Sequence, residues 1–284
     1  MYELILENKQ GARLTFGMGS PFSIIEIQGL APPSATINTS GMALVDGAKF
    51  NSSKLDMRPI NIAFAIEYSA AANRLEVYKV LKSKEWIRMY YQSDYRDVYI
   101  DGYVESIDIT HFARKQVVTC SILCPFPYFR NAHSPASEVS GVGGGFTFPF
   151  ASTALPELVF GYIDPNAATP ITNSGEVRTG MIIEIYASGT VRGVKVFDCV
   201  TNEFVGINYS MQAGDLITID TRQGEKTITL TRDAVETNIF NSLMRGSTWL
   251  QLGADGGVYA YEVGSGSATD IVITIKHDAL FEGV

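Results

Sequence analysis

With 284 residues, 46% hydrophobic and 18% charged, the chain can bury one large core or two ordinary ones, and two domains is the better expectation. A formal net charge of −8 argues against a general nucleic-acid binder, which needs a basic surface to neutralise phosphates. No apolar run approaches the roughly 20 residues of a membrane-spanning helix, and no basic stretch with an apolar signal core opens the chain, so cytoplasmic synthesis and no membrane partner are expected. The charge is unevenly placed: Met1 to His133 carries 14 Lys and Arg against 13 Asp and Glu, whereas Glu176 to Val284 carries 8 against 14.

In chain order, the first clear element is Ile60-Asn-Ile62-Ala-Phe64-Ala-Ile66-Glu-Tyr68, whose large apolar residues recur at period two on one face of a strand. From Ala70 to Lys84 the period changes: Ala71, Leu75, Tyr78 and Leu81 recur at three to four residues, predicting an amphipathic helix lying on a sheet, with Ser69 available as N-cap. Strands follow around Val98 to Ile109 and Val117 to Cys124. The second ends where Pro125 and Pro127 forbid further ladder hydrogen bonds, and the first domain, 1–131, closes there.

Between Asn131 and Asn173 the composition turns to Ser, Gly, Pro and Ala, including Gly141-Val-Gly143-Gly-Gly145 and Asp164-Pro165-Asn166, which reads as a linker (132–173) containing an extended segment. The glycine cluster lacks the following helix of a phosphate cradle, because Phe146-Thr-Phe148-Pro149 comes next. From there a second domain, 174–284, reads as short strands at close spacing: Ile182 to Tyr186, Val194 to Phe197, Phe204 to Ile207, Leu216 to Ile219, Thr227 to Leu230, Trp249 to Leu252, Val258 to Val263 and Ile271 to Ile275. Eight strands without a convincing long helix predict an antiparallel β-sandwich of jelly-roll kind, and a mainly β protein with one helix overall.

The search for chemistry yields no catalytic, cofactor or metal residues. His111, His133 and His277 belong to no ligand spacing, and no nucleophile elbow or nucleotide loop exists. Cys120, Cys124 and Cys199 are too few for a disulfide framework, and the first two read as small buried hydrophobes. Asp94, Asp97, Asp101 and Glu105, interrupted by Arg96, read as solvated charge on a sheet face. Aromatics remain, because sugar-binding sandwiches stack Trp or Tyr on the ring. Trp249-Leu-Gln-Leu252 alternates as a core strand should, so Trp249 is expected in the core, whereas Tyr259 and Tyr261 share a face of undecided exposure and are the candidate carbohydrate contacts.

Several segments together resemble the distal tail proteins of long-tailed (sipho-) phages. In the first half these are Leu4-Ile-Leu6-Glu-Asn8 with Gly11, Ile27-Gln-Gly29-Leu30-Ala-Pro32-Pro33, Asp46-Gly47, Arg58-Pro59-Ile60 and Cys124-Pro125-Phe-Pro127-Tyr128-Phe129. In the second they are Ile171-Thr-Asn173-Ser-Gly175, Gly214-Asp215-Leu-Ile-Thr-Ile219-Asp220-Thr221, Trp249-Leu-Gln-Leu252-Gly253 and Phe281-Glu-Gly283-Val284. The turn Ala254-Asp255-Gly256 departs from the family pattern, which reads Asn there.

The resemblance implies an N-terminal split-barrel or sandwich-like domain that assembles into a ring, usually hexameric, around the channel through which DNA passes without specific binding. It implies a C-terminal galectin-like β-sandwich outside that ring. The implied partners are further copies of the chain, the tail tube protein, a tail-associated adhesin or lysin hub protein and a receptor-binding protein. The implied location is the distal end of the virion tail, assembled in the host bacterial cytoplasm. Some members carry inserted carbohydrate-binding modules, for which 132–173 is too short. Two other readings stay open from the residues: a carbohydrate-binding sandwich acting as an adhesin, and an unrecognised hydrolase.

Overall fold

The structure is a computed structural model that describes residues 2–284 except 43, 45, 114, 134, 135, 140, 145–160 and 165–167. The expected Phe146-Thr-Phe148-Pro149 segment and Pro165-Asn166 lie outside the described residues. The chain divides into two compact units: Met1–Ala132 with Leu280–Val284, and His133–Ala279.

The first unit contains β1 (Glu3–Asn8), β2 (Arg13–Phe16), β3 (Phe22–Gln28), β4 (Ala35–Gly41), β5 (Ala48–Leu55), β6 (Arg58–Ile66), α1 (Ala70–Val80), β7 (Trp86–Gln92), β8 (Asp97–Ile109), β9 (Gln116–Cys124) and β10 (Phe129–Asn131). Seven strands of a nine-stranded antiparallel sheet follow the order β2-β1-β7-β8-β9-β6-β3, with β10 joined to β8 and the short strand Leu280–Phe281 joined to β10. Period-two patterning sets its register: Ile60, Ile62, Phe64 and Ile66 of β6 face the same core as Val118, Cys120, Ile122 and Cys124 of β9. The sheet curls until its ends meet, because Phe16 of β2, Phe22 of β3 and Phe64 of β6 pack ring against ring at centroid distances of 4.9–5.9 Å. That is the split-barrel or sandwich-like form expected from the resemblance.

The helix forms as predicted but turns a different face inward. Val77, Val80 and the following Leu81 are buried, while Leu75 and Tyr78 are exposed. Ser69 does not cap it: its backbone is left-handed (φ 49) and its hydroxyl makes no cap bond. Strands β4 and β5 form a hairpin that, among the described residues, pairs only with itself, with nearly every residue exposed and the Asp46-Gly47 pair in its turn.

The second unit holds β11 (Ala136–Glu138), β12 (Gly141–Gly144), β13 (Gly161–Asp164), β14 (Thr169–Ile171), β15 (Thr179–Ala187), β16 (Val191–Asp198), β17 (Phe204–Met211), β18 (Leu216–Asp220), β19 (Thr227–Arg232), β20 (Val235–Asn238), β21 (Gln251–Leu252), β22 (Gly257–Ser265) and β23 (Ile271–His277). One sheet runs β11-β23-β15-β18-β19-β20 with β21 beside β15, and the other runs β14-β22-β16-β17. Inward residues of the first sheet, such as Ile183 and Ile185 of β15 and Ile273 of β23, share one core with Val194 and Val196 of β16 and Tyr259 of β22 in the second, which makes an antiparallel sandwich.

Two expected boundaries shift. The segment read as a linker contributes β11 to one sheet and β14 to the other, and its glycine-rich part forms β12, paired with β13. The last five residues leave the sandwich for the first unit, where Phe281 and Leu280 pair with Phe129 and Arg130 of β10. Trp249 also lies just outside a strand, since only Gln251–Leu252 pairs with β15.

Candidate functional site

The residues first considered for chemistry are engaged structurally. Asp101 accepts from Arg88 Nε at 2.6 Å and from Arg130 Nη1 at 3.3 Å, which pairs its charge, and Glu105 accepts a hydrogen bond from the Ser121 hydroxyl. Cys120 and Cys124 face the first core, and burial pushes both thiols up to about 12, far from the thiolate a nucleophile needs. Among the described residues no group of three His, Cys, Asp or Glu is placed to hold a metal ion.

The structure corrects the carbohydrate assignment of Tyr259 and Tyr261. Their period-two spacing on β22 does put them on one face, but that face is the inner one: Tyr259 is fully buried and Tyr261 is 6% exposed. Their hydroxyls donate to the Gln251 and Ala268 carbonyls, and neither ring offers a stacking surface. Trp249 is half-buried against the same core, with the Phe240 ring 5.8 Å away and the Lys226 ammonium 5.4 Å from its centroid.

What the fold builds instead is a set of rigid anchors and a free surface. In the first unit, Arg58 is 1% exposed, yet its guanidinium is fully used. Nε donates to the Pro127 carbonyl at 2.7 Å, Nη1 to those of Gly29 and Ala31 at 2.5 and 2.7 Å, and Nη2 to that of Glu282. The Phe129 ring lies 4.7 Å beneath it. Burial lowers the Arg58 pKa, an effect opposed by Cys124 and Glu282.

Gly29 is required there: its φ is +93, and a Cβ would sit 2.2 Å from the Pro59 carbonyl oxygen. Arg96 adds a second tie, donating to the Gly283 carbonyl at 2.8 Å across the Phe281 ring. One knot thus joins four sequence motifs that lie far apart along the chain.

The second unit has matching anchors. Asp215 is 1% exposed and held by both donors of the Arg232 fork at 2.7 and 2.5 Å, which keeps its carboxyl below the usual range. The buried Thr221 hydroxyl bonds Met181 and Leu250, and the Asn173 amide ties Val177 to Gly253.

The free surface belongs to the first unit. Of eighteen large hydrophobic side chains exposed among the described residues, fourteen lie between Tyr2 and Phe112, including Ile37 and Phe50 of the hairpin and Leu75 and Tyr78 of the helix. Sequence reasoning missed this surface, because it took Leu75 and Tyr78 for core.

A phage tail protein RIFT-related domain matches residues 9–124, and the C-terminal domain of a siphovirus-type tail component matches residues 174–279. No curated protein matches. Among solved structures, the Dit protein of phage SPP1, a hub of the adsorption apparatus in phages infecting Gram-positive bacteria, superposes with a TM-score of 0.71 at 15% identity, covering 98% of this chain and 99% of that one. A chain of the phage P2 baseplate in its activated conformation superposes with a TM-score of 0.54 at 13% identity, covering 97% and 98%. With both family models in their expected order on two units of matching fold, the chain belongs to the siphovirus distal tail (Dit) family of phage tail proteins.

Proposed function

We propose that this chain is the hub subunit of a phage tail, that its first unit closes into a ring, usually of six copies, and that its second unit is a galectin-like outer module. The observation that carries the ring assignment is the β4–β5 hairpin. An isolated two-stranded hairpin is marginal in water, and this one extends over seven- and eight-residue strands with no further strand beside it among the described residues. It carries Ile37 and Phe50 to solvent. A second copy of the chain gives those strands and side chains a partner, and a head-to-tail contact of this kind closes into a ring when the rotation permits. The near-balanced charge of the first unit suits close self-contact, and the acidic surplus of the second keeps it apart.

In this reading the protein works by geometry without catalysis. It resides at the distal end of the virion tail after assembly in the host cytoplasm, between the tail tube protein and the adhesin, lysin or receptor-binding proteins, with DNA passing through its channel. Replacing residues 36–54 by a short Gly-Ser turn tests it. The variant is expected to fold but to lose ring formation, because the hairpin lies outside the core. Rings formed as readily by that variant as by the parent chain would reject the hairpin as the assembly arm.

A further inference from the structure

We infer that the second unit carries a binding cleft for a neutral saccharide, at a place other than the tyrosine pair. The cleft encloses about 480 Å³, within the ~300–1,000 Å³ typical of small-ligand sites. Three chain turns and one strand entry form it: the loop after β16 with Asp198 and Glu203, the approach to β21 with Trp249 and Gln251, the Gly253–Gly257 turn, and Arg178 just before β15.

Its polar groups are presented and unspent. Asp198 is 9% exposed, and one of its oxygens is pinned by the Val200 and Thr201 amides at 2.8 and 3.3 Å, which fixes the carboxylate and leaves the second oxygen without a partner among the described residues. The side chains of Arg178, Glu203 and Gln251 likewise make no hydrogen bond or ion pair among the described residues, and nor does the Trp249 indole N–H. The buried Tyr259 hydroxyl holds the Gln251 backbone from below at 3.3 Å. The Gly256 turn is fixed as well, since at its φ of +88 a Cβ would meet the Ile171 carbonyl oxygen at 2.5 Å.

This donor set selects a ligand class. Arg178 stands among the lining with Asp198 and Glu203, and the Lys226 ammonium lies 5.4 Å from the Trp249 ring centroid, so the charges around the cleft balance and give no net attraction to polyanions such as phosphate polymers. The guanidinium equally opposes a cationic ligand. Carboxylates accept hydroxyl hydrogens, Arg and Gln donate to hydroxyl and ring oxygens, and the half-buried Trp249 adds an apolar border and an indole N–H donor, so a neutral hexose or N-acetylhexosamine satisfies all of them together. The site does not depend on ring assembly, and its failure would leave the hub reading untouched.

The test uses the full-length protein on an array of neutral glycans ending in hexose or N-acetylhexosamine, alongside sulfated, sialylated and glycerol-phosphate ligands. The strongest neutral ligand is then titrated in solution. Binding to neutral glycans is expected, and Arg178→Ala and Glu203→Ala, both at exposed positions, are each expected to weaken it about tenfold or more with an unchanged melting temperature. Absence of any neutral ligand, binding confined to anionic glycans, or affinity unmoved by both substitutions would overturn the assignment.

Discussion

Replacing Arg58 by Ala removes the centre of the knot that holds the first unit together, and the expected damage can be worked from its contacts. The guanidinium serves four carbonyls, those of Gly29, Ala31, Pro127 and Glu282, in a place where water does not reach. A hydrogen bond to a charged group contributes about 1.5–3 kcal/mol net. Four such bonds do not add, since the released carbonyls partly rehydrate once the tail loosens and a buried cation no longer has to be desolvated. Loss of about 3–5 kcal/mol, the usual result of breaking a buried charged network, is the better figure, a large share of a domain's typical 5–15.

Lysine at the same position keeps the charge but cannot reproduce the fork, so Arg58→Lys should retain less than half of that stabilisation. The protein carries its own reporters, with Trp86 in the first unit and Trp249 in the second. Urea unfolding followed by fluorescence in a Trp249→Phe background reads the first unit alone, and proteolysis of the C-terminal residues reads release of the tail. An Arg58→Ala variant within about 1 kcal/mol of its parent, with a protected tail, would refute the reasoning, since most neutral surface substitutions stay in that range.

Three further outcomes follow from the second unit and its boundaries. Burial on the inner face of β23 depresses the His277 pKa below its ordinary 6.5, opposed by Asp278 and the Thr172 backbone, so the neutral imidazole is the folded form. Its contribution is therefore complete above pH 6.5 and is lost as pH falls from there towards the folded value. Melting temperature should drop between pH 7.5 and 5.5, and more steeply than in His277→Gln.

Trp249→Ala should cost about 2 kcal/mol, less than the 3–5 of a fully buried aromatic, because the ring is only half-buried. A thermal scan showing no loss would mean that the ring adds nothing to the core. A fragment spanning 133–279 should fold as a monomer, whereas one beginning at Glu176 lacks β11 and β14 and should melt lower; equal melting temperatures would mean those strands are dispensable.

The sequence reveals some of this directly. The alternation from Ile60 onwards marks β6, and the short apolar runs after Glu176 mark most of the sandwich, because period two survives wherever one face is buried. It does not mark β7, where Trp86, Ile87, Met89, Tyr90 and Tyr91 are apolar on both faces.

The helix phase is misread for a related reason. Leu75 and Tyr78 stand on the exposed face, and the three-to-four spacing that places them on one side of the helix does not say which side meets the sheet. Tyr259 and Tyr261 share a face in the sequence, but which face depends on a sheet partner that no local pattern names.

The cleft was legible only after folding, since Arg178, Asp198, Glu203 and Trp249 have no common spacing. The family motifs behave differently. They name neither catalytic nor binding groups, but Gly29, Arg58, Pro127, Asp215 and Thr221 are the joints on which each unit hangs.

The hub assignment itself is tested most directly by negative-stain electron microscopy of the purified full-length protein, alone and mixed with the tail proteins of the same particle. Closed rings with a central opening wide enough for duplex DNA, built on the first unit, are expected. Folded protein that stays monomeric at high concentration and beside its tail partners would contradict it.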